Sequence, residues 1–253
     1  MKLGKTRNVE IYDSSFYTAE GLAILDSPRI VVPLIISLVQ PKSVVDVGCG
    51  RGSWLCVFQE CGVERILGID AASVNPDWLL IPKECFRSMD LALPFQLDEQ
   101  FDLAVCLEVA EHLPDHAAVS LISSLTALAP VVLFSAAVPF QGGVHHVNEQ
   151  WPEYWRELFE RESYCMLDLI RKEIWKDPRI KYWYRQNLFL YVRNDLMVSR
   201  PKFAEAAHLA DDLRLIHPAI LEAHYGLWPL VKNLPRSAWQ AGRNRMRRLL
   251  RRG

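Results

Sequence analysis

The chain has 253 residues, of which 50% are hydrophobic and 23% charged, and its 29 Lys and Arg against 30 Asp and Glu leave a net charge of −1. That is the ordinary balance of a soluble globular chain, with apolar residues enough for a core that needs neither disulfides nor metal to hold it. The N-terminus lacks the apolar stretch of a secretory signal, and the longest apolar run, residues 30–39, is interrupted by Pro33 and too short to span a bilayer.

Residues 1–40 read as a polar lead-in followed by a helix over 29–38. From Pro41 to about Asn194 short apolar strands alternate with helices. Strands are expected at 43–47, 65–69, 85–88, 101–107, 131–136, 166–173 and 188–192, and helices at 53–61, 76–80, 114–128 and 152–162. Continuous apolar strands separated by helices predict a mostly parallel sheet covered on both faces, an α/β fold, with the last two strands free to pair as an antiparallel edge. After residue 194 proline-punctuated helices, one over 203–215, form a C-terminal extension. Residues 243–253 of that extension carry six arginines and no acid.

Cys49, Cys56, Cys61, Cys85, Cys106 and Cys165 form no CxxC pair and no Cys/His group of zinc spacing. Reduced thiols in a cytoplasmic setting are therefore expected, with no metal site.

Four stretches carry chemistry. The first expected strand runs into Asp46, Gly48, Cys49, Gly50 and Gly52 and then a helix, in the pattern DxGxGxG. Glycine lets the backbone turn sharply and approach a ligand, and the helix start offers unpaired N–H groups. A dinucleotide fingerprint would place a third glycine where Ser53 stands. The second strand ends in Asp70 and Ala71, where a carboxylate can accept ribose hydroxyls. Asp90 and Leu91 follow the third strand, and Leu107 and Glu108 end the fourth, in FDLAVCLEVAEHL.

Taken together, residues 40–194 resemble the class I S-adenosylmethionine-dependent methyltransferases. The resemblance implies a Rossmann-like fold and S-adenosylmethionine as cofactor. Asp46, Gly48, Cys49, Gly50, Gly52, Asp70, Ala71, Asp90, Leu91, Leu107 and Glu108 would lie around it. Asp90 would meet the adenine amino group or, alternatively, serve as a turn aspartate. Glu111 and His112 would stand just beyond the strand end, with His112 shaping the pocket or acting directly.

After the fifth strand, the loop through HHVNEQWPEYW resembles a subset of bacterial methyltransferases of sugar, polysaccharide or natural-product pathways. His146 takes the position of their histidine and His145 is extra. An alcohol acceptor needs a base, so His146, with His145 and His112, is the catalytic candidate. His146 and Asn148 could instead cap the helix that starts at Pro152. A metal held by His145, His146 and Glu149 is disfavoured because adjacent histidines diverge on an extended chain.

The expected acceptor is a small molecule, a hydroxyl of a sugar, glycan or secondary metabolite. N- or carboxyl-methylation of another small molecule and a non-catalytic cofactor-binding or membrane-associated partner protein are the alternatives. Trp151, Trp155, Trp175, Tyr182, Trp183 and Tyr184 read as satellite core or acceptor pocket, and Tyr12, Phe16 and Tyr17 as a lid. The arginine-rich tail reads as a solvated end, as a contact to an anionic membrane surface at the inner face, or, without any RNA-reading motif, as a weak nucleic-acid contact.

Overall fold

The structure is a computed structural model that describes residues 25–206 and 213–225. The chain divides into two compact units, Met1–Leu215 and Ile216–Gly253. The described part of the second unit is helix α9 (Pro218–Tyr225), entered through His217, whose Nδ1 accepts the Ala219 N–H at 3.1 Å. The lid residues Tyr12, Phe16 and Tyr17 and the tail 243–253 lie outside the described residues.

The first unit is a Rossmann-like α/β fold built on seven strands: β1 (Ser43–Val47), β2 (Arg65–Asp70), β3 (Phe86–Ser88), β4 (Leu103–Leu107), β5 (Val131–Ser135), β6 (Tyr164–Leu167) and β7 (Phe189–Arg193). Their order is β3-β2-β1-β4-β5-β7-β6. The first five run parallel, and β7 enters antiparallel between β5 and β6. β1, β4 and β5 are buried along their whole length, as strands sandwiched between helices must be.

Around the sheet lie α1 (Asp26–Val39), α2 (Ser53–Glu60), α3 (Ala118–Leu128), α4 (Pro152–Arg161), α5 (Arg171–Ile174), α6 (Tyr182–Asn187), α7 (Asn194–Ser199) and α8 (Pro201–Ala206). One apolar layer holds Val31, Ile35, Leu55 and Phe58, and the opposite one Leu121, Leu125, Trp155 and Phe159. No helix among the described residues is long and apolar enough to cross a membrane.

Several expected boundaries moved, each for a visible reason. α1 runs through Pro33, because Val31, Val32, Ile35 and Val39 bury one face while Pro33 stands exposed. β4 starts at Leu103, since the Asp102 carboxylate accepts the amides of Lys42 and Ser43 at 2.8 and 2.9 Å. The strand expected over 166–173 stops at Leu167 and gives way to α5. Beyond Leu167 the buried apolar residues are Ile170 and Ile174, a helical spacing, and Arg171 turns back to Asp168 in a buried ion pair at 2.6 Å. The helix expected over 76–80 is one 3₁₀ turn, Pro76–Trp78. The helix expected over 203–215 does not reach its end, because residues 213–215 are not helical. The Leu213 carbonyl there accepts from Arg171 Nη1 at 3.4 Å, not from a helical amide.

Candidate active site

A cavity of about 440 Å³ opens along the carboxyl ends of β1, β2 and β4, the edge where open α/β sheets bind ligands. Its floor is the turn after β1. Gly48 has φ +84°, and a Cβ there would stand 2.2 Å from Val109 Cγ2. Only glycine fits both the dihedral and the space. The amides of Gly48 and Cys49 both reach the Ile69 carbonyl, at 2.7 and 3.1 Å, tying the turn to β2.

Asp70 closes the same corner. One carboxylate oxygen accepts the Gly50 amide and the other the Ala71 amide, each at 2.6 Å. Each oxygen keeps a lone pair for a ligand hydroxyl. Burial raises its pKa and the two amides oppose that. Asp46 lies deeper, 2% exposed, with Oδ2 unpartnered. Burial and then the Asp70 charge hold its carboxyl well above the usual range. Asp90 stands at the outer rim and accepts the Ala92 amide at 3.0 Å, beside buried Leu91.

Asp46, Gly48, Cys49, Gly50, Asp70, Ala71, Asp90, Leu91, Leu107 and Glu108 all line this cavity. Gly52 does not. It precedes α2 at φ +78°, and a Cβ there would press on Ile81 at 2.9 Å, so its glycine serves packing. Spacing alone could not separate that role from ligand approach. The lining also includes Arg51, Ser73, Val74, Val109, Leu113 and the edge-to-face pair Trp54–Tyr184, with ring centroids 5.2 Å apart. Tyr184 comes from the aromatic stretch before β7, while Trp155 of α4 packs into the core against Phe134.

The other end of the cavity is organised by Glu108 and the loop after β5. Glu108 holds φ +54°, costly for a residue with a side chain. Three contacts fix it: its own amide donates to the Ser135 carbonyl at 3.0 Å, while Gln141 Nε2 donates to Oε2 at 2.9 Å and Asn187 Nδ2 to Oε1 at 3.2 Å. Its pKa is raised by burial and lowered by these bonds.

Beyond it the 3₁₀ turn Ala110–His112 brings in Glu111, fully buried, and His112, which lines the cavity. Burial, then the neighbouring Glu108 charge, push the Glu111 carboxyl well above its ordinary value. Burial, then His146, pull His112 down to about 4. The loop folds back through the amides of Val147 and Asn148, which donate to the Glu111 carbonyl at 2.8 and 3.1 Å.

His146 is thereby set edge-on to His112, ring centroids 4.8 Å apart, and its Nδ1 stands 2.9 Å from Glu149 Oε1. The Glu149 carboxylate also accepts the amides of Phe140 and Gly142 at 2.9 and 2.8 Å, so one side chain pins the whole loop. His145 holds φ +61° with its side chain exposed, while its backbone lies against the His112 ring. His146 and Asn148 offer no side-chain cap to α4.

The family model described as a methyltransferase domain matches residues 29–170. No curated protein matches the sequence. Among solved structures, the chain is similar to magnesium protoporphyrin IX methyltransferase from Synechocystis PCC 6803 with bound SAH, at 18% identity and TM-score 0.51, over 75% of this chain and 90% of that one. It is also similar to the methyltransferase domain of the bacterial protein CtHen1, at 19% identity and TM-score 0.50, over 66% of this chain and 98% of that one. A third is an amino pentose methyltransferase from Micromonospora echinaspora with SAM bound, at 16% identity and TM-score 0.49, over 74% of this chain and all of that one. These likenesses are of fold.

The chain belongs to the methyltransferase-domain family. S-adenosylmethionine is the cofactor its cavity suits, by size and by charge. Asp46, Asp70, Asp90 and Glu108 surround a space in which Arg51 is the lone Arg or Lys among the described residues, as a ligand bearing a sulfonium and an ammonium requires. The unpartnered oxygen of Asp46 is a polar group waiting for such a donor.

Proposed function

We propose that this chain methylates a hydroxyl of a small-molecule acceptor, of the sugar, glycan or secondary-metabolite kind. S-adenosylmethionine, when bound, supplies an electrophilic methyl group on a sulfonium. The chain's residues do the rest. Asp70 and Asp90 hold the nucleoside, Leu91 and Val74 flank its base, and Glu108 with its Gln141–Asn187 brace shapes the end where the acceptor enters. Positioning of this kind supplies roughly 7–11 kcal/mol of a barrier.

The observation that carries the acceptor class is the Glu149–His146 pair beside His112. A carboxylate fixes one imidazole nitrogen at 2.9 Å and leaves the other to take a proton, the base-and-orienter arrangement that a hydroxyl needs and that a carboxylate acceptor does not.

An acceptor panel with labelled methyl donor tests it, containing sugars and polyols, amines, and carboxylic acids. Label on hydroxyl compounds is the expected result, and label confined to amines or acids would sink the acceptor half. Residues 243–253 are proposed to bring this cytoplasmic chain to anionic surfaces at the inner membrane face. Equal co-sedimentation with anionic liposomes after removal of residues 236–253 would end that idea.

A further inference from the structure

Glu111 is an anomaly for a buried acid. It is 0% exposed, and neither carboxylate oxygen has a hydrogen bond. The amides of Glu111 and Ala137 and the Glu108 carboxyl are near it without meeting it in bonding geometry. Beside it His112 Nδ1 is likewise buried and unpartnered. One ligand atom each from Glu111, His112 and His146 lies within 4.8 Å of the others.

Buried charge without a partner is costly, and the common resolutions are a proton or a cation. The surroundings favour a cation. A metal at about 2.0–2.2 Å from each ligand holds the ligand atoms roughly 3–4 Å apart, so an inward shift of about 1 Å completes the set. His146 carries the supporting contact such sites use, with Nδ1 against Glu149 and the other nitrogen left for a ligand. The loop is shaped for that ring: a Cβ on Gly143 would lie 2.2 Å from it.

We propose that Glu111, His112 and His146 bind a divalent first-row transition-metal ion at the acceptor end of the cavity. Two imidazoles and one carboxylate select Mn²⁺, Fe²⁺, Co²⁺ or Zn²⁺ over Mg²⁺ and Ca²⁺. Because His112 lines the cavity, open coordination positions face the acceptor. The role of the cation rests on the hydroxyl reading above and changes one assignment in it. With metal bound, His146 is a ligand, the cation lowers the pKa of the acceptor hydroxyl, and the proton passes to water.

The test is titration of the chelator-treated full chain with Mn²⁺, followed by loss of the free-ion paramagnetic resonance signal. Mn²⁺ avoids the free cysteines, which would capture Zn²⁺. Expected is one equivalent bound at micromolar affinity and little competition from Mg²⁺. Glu111→Gln and His146→Ala should weaken binding by about 10–100-fold, and His116→Ala, at an exposed histidine elsewhere, should change nothing. Far-UV dichroism and melting establish that the variants fold, and Glu111→Gln is nearly isosteric.

Absence of binding below millimolar Mn²⁺, or binding that neither variant weakens, overturns the proposal. Calorimetry of S-adenosylmethionine on the metal-free chain separates the two readings. Retained cofactor binding without Mn²⁺ binding removes the metal alone, and lost cofactor binding removes the methyltransferase reading itself.

Discussion

The end of the cavity at Gly48 and Asp70 and the end at Glu108 and His146 solve the same problem, holding polar groups in a partly dry cleft, by different means. At the first, backbone does the holding: amides of Gly48, Cys49, Gly50 and Ala71 close on Ile69 and Asp70 across two adjacent parallel strands. At the second, side chains do it: Gln141, Asn187 and Glu149 brace Glu108 and His146 from segments 33 to 79 residues away or across one loop. A backbone site tolerates side-chain change except where a Cβ collides. A side-chain site fails one residue at a time, and its failures fall on the acceptor step.

The comparison is broken most severely at Gly48. Gly48→Ala meets φ strain of about 1–3 kcal/mol and a clash with Val109 worth a further 1–3 kcal/mol or so. Melting should fall accordingly and calorimetric binding of S-adenosylmethionine should disappear; near-normal affinity would show that backbone shape does not govern this end.

At the other end His146→Ala should lower turnover by roughly 10²–10⁴ and leave cofactor affinity within about twofold, since its ring is not part of the cavity lining. Wild-type turnover would remove His146 from the chemistry. Glu149→Gln acts through His146 and should cost about 10–100-fold, with a shifted pH profile for turnover as the sign of a positioning role. An unshifted profile with the same loss would instead point to simple loosening of the loop.

The smallest effect is expected at Asp46. Its folded pKa lies above the ordinary value, so between the two the folded state binds more proton than the unfolded state. Cofactor-free stability therefore falls as pH rises from about 4 toward the folded value. Asp46→Asn should flatten that decline, raising the melting point at neutral pH while weakening cofactor binding. A pH–melting curve that keeps its slope in the variant would place the titration elsewhere.

The unequal construction also explains what could be read in advance. Seven strands, the mostly parallel sheet, and ten residues that line the cavity were visible because each depends on neighbours within one strand–turn–helix unit. The 166–173 segment misled because its short apolar run, Met166, Leu167, Leu169 and Ile170, reads as a strand when seen alone, and a buried Asp168–Arg171 pair ends it. Tyr184 in the cavity and Trp155 in the core are equally aromatic on paper.

By itself, then, the sequence determined the sheet, the glycine turn and the acids of the cofactor corner, since local sterics and hydrophobic periodicity act over a few residues. Only the tertiary structure decided that Gly52 packs against Ile81, that Glu149 governs His146, and that Glu111 and His112, 35 and 34 positions before it, meet His146. Those contacts exist because the loop after β5 returns to the end of β4, and loop closure of that kind leaves no periodic trace in the chain.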